Sequence, residues 1–112
     1  MCPGFSREIV MMWKDGDRCA VAFSFDFDAE TLWTGNFKMD HPTILARGEF
    51  GANVGVGRIL RVLNKYNVKA TFFVPGWTAD KYPEQLAAIH EGGHELAHHG
   101  YLHENPNKLN LE

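Results

Sequence analysis

Three short apolar segments separated by helical patterns constrain the fold of this chain more than any other feature of its sequence. Period-two alternation or continuous β-type residues predict strands at 19–30, 68–76 and 94–99. Apolar residues at helical spacing predict an amphipathic helix at 54–67. A second helix is predicted to begin at a Thr78 cap, to hold Pro83 in its first turn and to end at Gly92. Because strands joined through helices lie parallel, this order predicts an α/β fold built from parallel β/α units.

Polar and aromatic side chains are expected at one edge of the predicted sheet, where the strands end. Asp26 and Asp28 close the first strand, on the face opposite to its phenylalanines. Trp77 follows the second strand, and His99 follows the third. Ligands of parallel α/β folds gather at the carboxyl ends of the strands. The convergence of these segments predicts a functional site at this rim.

The segments outside this pattern lead to separate predictions. Residues 31–53 are expected to form a long loop, functional or mobile because loops of that length are seldom idle. The glycine-rich residues 51–57 precede a helix, but they lack the G-x-G-x-x-G pattern and the preceding strand that a phosphate-binding loop needs. Cys19 opens an apolar run and is expected to be a buried thiol.

Histidine spacing at the rim indicates a metal site. His99 and His103 are four positions apart, so their rings would face the same way if the chain turned helically after Gly100. Two imidazoles and one carboxylate form a common open metal site, and Asp28 is the candidate carboxylate. Asp26 lies on the same strand face, where a neighbouring cation would keep it ionised and able to accept a proton.

Simpler interpretations of the same residues are open at this point. The pairs His90/His94 and His94/His98 have the same spacing, so spacing alone does not select His99 and His103. A lone H-x-x-x-H often binds nothing, and an Asp-x-Asp can be a solvated strand end. The position of His99 at the end of a parallel strand favours the metal site.

Charge and hydropathy exclude several classes of partner. The 112-residue chain has a formal net charge of -3 and no basic run, so neither nucleic acid nor an anionic membrane is an expected partner. No apolar run reaches the roughly 18 residues of a membrane span. The N-terminal residues contain no signal-type apolar stretch, so a cytoplasmic location is expected.

Three motifs in this order carry a family resemblance: "FSFDFDAE", "ATFFVPG" and "HELAHHGYLHENP". They resemble the polysaccharide deacetylases of the NodB-homology type, carbohydrate esterase family 4, over nearly the whole chain. The resemblance is closest to the branch of intracellular peptidoglycan deacetylase-like proteins and hydrolases of cyclic imides or ureides. Secreted members have adjacent aspartates and a Ser or Thr after the first motif histidine, whereas here Phe27 separates the aspartates and Gly100 follows the histidine.

The resemblance implies a distorted (β/α)7 barrel, of which residues 1–112 would be the N-terminal portion. It implies that Asp26 is the catalytic base and that Asp28, His99 and His103 bind a divalent metal ion, with zinc expected. The implied reaction is hydrolysis of an amide in an N-acetylated sugar or peptidoglycan. The alternative is an allantoinase-like amidohydrolase acting on a small amide, a cyclic imide or a ureide. Trp77 is a candidate substrate platform, or else a loop anchor.

The family's general acid is a histidine from a late motif, which does not occur in these residues. We therefore expect an N-terminal portion of a larger protein, with little hydrolase activity on its own. A three-stranded parallel sheet leaves two edges unpaired, so we expect a homo-oligomer or association with a missing C-terminal part. Two non-catalytic alternatives are a metal- or ligand-binding module and a fragment that completes its barrel with another chain. A base such as Asp26 argues against the first of these.

Overall fold

The structure, a computed structural model, describes residues 14–110. Within these residues one sheet forms from the strands β1 (Ser24–Asp26), β2 (Thr71–Val74) and β3 (Glu95–His98). The strands lie parallel in the order β1-β2-β3. Four α-helices connect them: α1 (Pro42–Phe50), α2 (Val56–Lys65), α3 (Gly76–Lys81) and α4 (Pro83–Glu91). The predicted parallel α/β fold is confirmed, and no helix in this part of the chain is long and apolar enough to span a bilayer.

The first strand is shorter than the predicted 19–30. The chain pairs with β2 over three residues and then leaves the sheet at Ala29, whose φ of 50° is left-handed. One further hydrogen bond, from Phe27 N–H to the Phe73 carbonyl at 2.8 Å, extends the pairing beyond the strand. The predicted burial of Cys19 is wrong: its thiol is exposed, because the chain joins the sheet only at Ser24.

The prediction of a long loop at 31–53 is also wrong. The chain is helical without interruption from Pro42 to Lys65, through α1, a π-helical turn at Gly51–Gly55 and α2. The helix begins at His41, whose Nδ1 accepts a hydrogen bond from Thr43 N–H at 3.3 Å, and Pro42 occupies the first helical position. Residues 51–57 therefore lie inside a helix and form no phosphate-binding loop.

The second crossover contains two helices where one was predicted. Tyr82 breaks the helical path, with φ of -123° and ψ of 56°, because a residue that precedes proline avoids the helical region. Pro83 starts α4, and Gly92 ends it, as predicted. The predicted cap at Thr78 is wrong, since Thr78 is a buried residue inside α3.

The core lies between the helices and one face of the sheet. Its largest fully buried apolar side chains are those of Phe72 on β2 and Ile89 on α4, and the ring of Phe25 on β1 stacks on Phe72 at 5.2 Å. The opposite face carries Asp26 and Phe73, which are in register on neighbouring strands. The site residues described next lie beyond the carboxyl ends of these strands.

Candidate metal centre

Asp28, His99 and His103 come together beyond the ends of β1 and β3. His99 Nε2 lies 3.7 Å from Asp28 Oδ1, and His103 Nε2 lies 3.7 Å from Asp28 Oδ2. The two imidazole rings meet edge to face, with centroids 4.6 Å apart. One nitrogen or oxygen from each residue lies within 4.8 Å of the others. The structure thus brings all three proposed ligands to one place.

The chemistry of this group fits a divalent cation. Asp28 Oδ1 is buried and, among residues 14–110, has no hydrogen-bond partner. The pKa of the Asp28 carboxyl is raised above its ordinary value, and burial is the largest cause. The charges of His103 and His99 act in the opposite direction, and the charge of Asp26 adds to the rise. A partly buried carboxylate whose two oxygens face two imidazole nitrogens has the donor set of an open zinc-type site.

The backbone of Asp28 is held by two buried threonines. The Thr78 hydroxyl donates to the Asp28 carbonyl at 2.8 Å, and the Thr31 hydroxyl donates to the same oxygen at 2.6 Å. The Thr31 N–H also donates to it, at 3.1 Å. Neither threonine side chain is exposed to solvent. These contacts fix the direction in which the Asp28 carboxylate leaves the chain.

The segment that follows Asp28 is anchored on both sides. On one side, a Cβ at Gly48 of α1 would lie 2.6 Å from the carbonyl carbon of Ala29, so only glycine allows this approach. On the other side, the buried Glu30 carboxylate accepts hydrogen bonds from Lys81 Nζ at 2.6 Å and from the Tyr82 hydroxyl at 2.8 Å. The left-handed turn at Ala29 is therefore held from α1 and from the α3–α4 junction.

The histidine turn, residues 99–104, is not the helical turn that the spacing of His99 and His103 would suit. Gly100 and His103 both have left-handed φ angles, 71° and 57°, and these two reversals bring the rings together. Glu104 lies inside this turn: its Oε2 accepts hydrogen bonds from Tyr101 N–H at 3.2 Å and Leu102 N–H at 2.9 Å. Together with its own N–H, these backbone groups lower the pKa of the Glu104 carboxyl.

The start of α3 holds the histidine turn through backbone hydrogen bonds. Gly76 N–H donates to the Gly100 carbonyl at 2.9 Å, and Trp77 N–H donates to the Tyr101 carbonyl at 3.0 Å. These bonds join the start of α3 to the chain that follows β3. The histidine turn therefore begins from a fixed position on the sheet.

Two further contacts position the histidine turn from other elements. A Cβ at the buried Gly35 would lie 1.5 Å from the Leu102 carbonyl oxygen, so the chain at Gly35 packs directly on the turn. The His99 ring packs against Phe73 of β2, with centroids 6.1 Å apart. Sequence reasoning missed these supports, as it missed Glu104 and Thr31, because side-chain contacts with distant backbone leave no periodic signal.

Asp26 is exposed at the end of β1. It lines an open pocket of about 280 Å³ together with Asp28, Trp33 and Arg47. The walls of this pocket are mainly apolar, and Phe25 and Phe72 form part of them. Neither His99 nor His103 lines this pocket. What links Asp26 to the metal-ligand group is its charge, which raises the pKa of the Asp28 carboxyl.

The other predicted site residues lie elsewhere. The Trp77 ring, partly buried, contacts Lys81, whose Nζ is 5.0 Å from its centroid, and it does not line this pocket. His94 is buried before β3, where its Nδ1 accepts a hydrogen bond from Ala70 N–H at 3.3 Å. Among residues 14–110, no group of three or more metal-ligating side chains includes His90, His94 or His98.

The fold and the site define an α/β protein of parallel β/α units with a candidate Asp-His-His metal site at the carboxyl edge of its sheet. A family model described as "Polysaccharide deacetylase" matches residues 42–112. The chain belongs to the polysaccharide deacetylase family. This family is metal-dependent in general.

Curated relatives carry deacetylase names. The chain is 41% identical over 87 residues to the "Peptidoglycan deacetylase" of Helicobacter pylori, a match that covers 77% of the chain and 30% of that protein. It is 36% identical over 96 residues to the "Peptidoglycan deacetylase-like protein FGM2" of Gibberella zeae, covering 82% of the chain and 28% of that protein. The chain therefore spans less than a third of each of these relatives.

Solved structures show the same architecture. A crystal structure described as a polysaccharide deacetylase from Mycobacterium smegmatis is 46% identical, with a TM-score of 0.80 over 88% of the chain and 35% of that structure. A peptidoglycan N-acetylglucosamine deacetylase in complex with 4-naphthalen-1-yl-N-oxidanyl-benzamide is 31% identical, with a TM-score of 0.57 over 80% of the chain and 32% of that structure. The predicted fold, parallel β/α units of a (β/α)7 barrel of which this chain is the N-terminal part, is confirmed.

Proposed function

We propose that these residues belong to a metal-dependent hydrolase of carbon–nitrogen bonds that removes acetyl groups from N-acetylated sugars of peptidoglycan or a related polysaccharide. The observation that carries the proposal is the partly buried Asp28 carboxylate, whose two oxygens face the Nε2 atoms of His99 and His103. The names of the relatives support the substrate class. They do not favour a cyclic imide or ureide as substrate.

The proposed roles of the residues follow from their positions. Asp28, His99 and His103 would hold a divalent cation, with zinc the ion that best suits two imidazoles and one carboxylate. A bound cation would polarise the carbonyl of an amide and lower the pKa of a water molecule. Asp26 lies two residues before Asp28, close enough for its charge to raise the pKa of the Asp28 carboxyl, and it is the proposed general base, which takes the proton of the attacking water.

The ligand of one solved relative supports this chemistry. The benzamide named with that peptidoglycan N-acetylglucosamine deacetylase carries an N-oxidanyl group next to its carbonyl. Two adjacent oxygens of this kind can bind one cation in the place of a hydrolysable amide and a water. We propose that a cation held by Asp28, His99 and His103 accepts the acetamido group of a sugar in the same way.

Calorimetric titration with Zn²⁺ tests the metal site. We expect the wild-type chain to bind one zinc ion, and we expect Asp28→Ala and His99→Ala to bind it at least about ten-fold more weakly. His90→Ala is the matched control, because His90 is exposed and takes no part in the Asp-His-His group. Unchanged zinc affinity in Asp28→Ala and His99→Ala would remove these residues from the site.

Asp26→Asn in the full-length protein tests the base. The amide has nearly the shape of the carboxylate but cannot take a proton, so zinc binding should persist while turnover falls by about 10²–10⁴-fold. Acetate released from an oligomer of N-acetylglucosamine measures turnover. Asp17→Asn, at an exposed aspartate, serves as the control and should keep full activity. Full activity of Asp26→Asn would exclude Asp26 as the base.

A further inference from the structure

We infer that Glu104 is a positioning residue of the candidate metal centre: by bracing the turn between His99 and His103, its carboxylate sets the affinity of the site for a divalent cation. The inference rests on the proposed function, since it concerns the same metal site. It assigns a role to a side chain that does not itself belong to the Asp-His-His group.

The contacts of Glu104 are with the backbone of the histidine turn. Its Oε2 accepts two hydrogen bonds, from Leu102 N–H at 2.9 Å and from Tyr101 N–H at 3.2 Å. Both donors lie between the two histidines. A single oxygen that accepts from successive N–H groups fixes the orientation of two peptide planes, and hydrogen bonds to an ionised carboxylate are stronger than neutral ones.

The turn needs such a brace because its conformation is unfavourable for an isolated chain. His103 has a φ of 57°, and a residue with a Cβ rarely adopts this left-handed region unless its surroundings hold it there. Gly100 has a φ of 71°, which glycine adopts readily. The strained residue is thus His103, a proposed ligand, and Glu104 is its immediate neighbour.

The Glu104 side chain has the length that its two hydrogen bonds require. A Cβ added at Gly100 would lie 3.2 Å from Glu104 Oε2, so the carboxylate already lies against the backbone at Gly100. An aspartate at 104 would be one methylene shorter, and its oxygen would not reach both N–H groups. A glutamine would reach them with its carbonyl oxygen, although it carries no charge.

This difference separates bracing of the turn from simple attraction between Glu104 and a cation. If the carboxylate acts through its hydrogen bonds, Glu104→Gln should bind Zn²⁺ within about threefold of the wild type. Glu104→Asp and Glu104→Ala should bind about 10–100-fold more weakly, the usual effect of removing a group that orients a metal ligand. The absorption spectrum of Co²⁺ in place of zinc should be altered in Glu104→Asp and wild-type-like in Glu104→Gln.

The test compares the wild type, the three Glu104 variants and Glu91→Ala. Each protein is titrated with Zn²⁺ in a calorimeter and examined by absorption spectroscopy with Co²⁺. Glu91 is exposed at the end of α4 and makes no side-chain hydrogen bond among the described residues, so its variant should bind as the wild type does. If Glu104→Ala no longer melts cooperatively, the zinc affinities of Glu104→Gln and Glu104→Asp decide whether Glu104 acts through its hydrogen bonds.

Three results would overturn the inference. Weak binding by Glu104→Gln with normal binding by Glu104→Asp would show that the charge acts alone. Equal affinity in all variants would show that Glu104 has no part in the site, while leaving the proposed function intact. A wild-type chain that binds no zinc would reject the proposed metal site, and the role of Glu104 with it.

Discussion

The buried hydroxyl of Thr78 donates a hydrogen bond to the backbone carbonyl of Asp28 over 2.8 Å, joining two residues fifty positions apart. Thr78 lies in α3, and Asp28 follows β1. The contact fixes one proposed metal ligand to the helix whose first N–H groups hold the histidine turn. Helix α3 therefore holds both Asp28 and the histidine turn.

Replacing Thr78 by valine tests the energy of this contact. Valine keeps the shape of the side chain and removes the hydroxyl, while Thr31 continues to donate to the Asp28 carbonyl. We expect Thr78→Val to lower the free energy of unfolding by about 1 kcal/mol, the usual net value of one hydrogen bond. Urea denaturation measures it. Thr43→Val, at an exposed threonine of α1, is the control, and an equal loss there would contradict the assignment.

Two glycine-to-alanine variants should change stability in opposite directions. Gly35→Ala places a Cβ 1.5 Å from the Leu102 carbonyl oxygen, so the histidine turn must move. We expect a loss of about 1–3 kcal/mol in the free energy of unfolding, and weaker zinc binding. A Cβ at Gly57 in α2 meets nothing within 4 Å, so Gly57→Ala should stabilise the helix by about 0.5–1 kcal/mol. Thermal melting and zinc titration of both variants check the contrast.

Because His94 is buried, we expect the protein to lose stability in mild acid. Burial and then the charge of Lys69 lower the pKa of His94 below its ordinary value of 6.5. The unfolded chain therefore takes up the proton first, so this contribution to stability is complete above pH 6.5 and is lost as the pH falls through the pKa of the folded protein.

Urea midpoints between pH 7 and pH 5 measure this effect. The fall in stability should be smaller in His94→Gln, whose side-chain oxygen can still accept from Ala70 N–H. His90→Gln, at an exposed histidine, should behave as the wild type does. Parallel pH profiles for the wild type and His94→Gln would show that His94 is not responsible.

Exposed apolar side chains at the sheet favour self-association of this chain. Val21 is 74% exposed and Phe23 51% exposed before β1, and Leu96 on β3, an outer strand of the described sheet, is 37% exposed. We expect an oligomer in size-exclusion chromatography with light scattering. Leu96→Lys should reduce association more than Val62→Lys on α2. A monodisperse monomer with a cooperative melt would contradict the prediction.

The sequence predicted the parallel β/α order because β-type and helical spacings are local signals. It also placed Asp28 and His99 at the same edge, since the carboxyl ends of parallel strands coincide. Helix α1 does not follow from the sequence although His41 and Pro42 form an ordinary helix start, because the glycines that follow favour a loop. One of them, Gly48, instead permits the close approach of α1 to Ala29.

The form of the histidine turn could not be predicted from residue spacing. His99 and His103 are four apart, as on a helix, but they meet through two left-handed residues. A positive φ at His103 contradicts local preference and depends on contacts made by Glu104 and Gly35. Such contacts form only once the chain has folded. The cytoplasmic location, the identity of the ion and the role of Trp77 stay predictions.

The hydrogen bonds from Gly76 and Trp77 to the carbonyls of Gly100 and Tyr101 make the formation of the histidine turn observable at single amides. Both amides belong to the start of α3, where a helix leaves its first N–H groups without partners inside the helix. Deuterium should therefore enter these two positions slowly while the turn is docked and quickly once it detaches, so their exchange rates report on the turn separately from global unfolding.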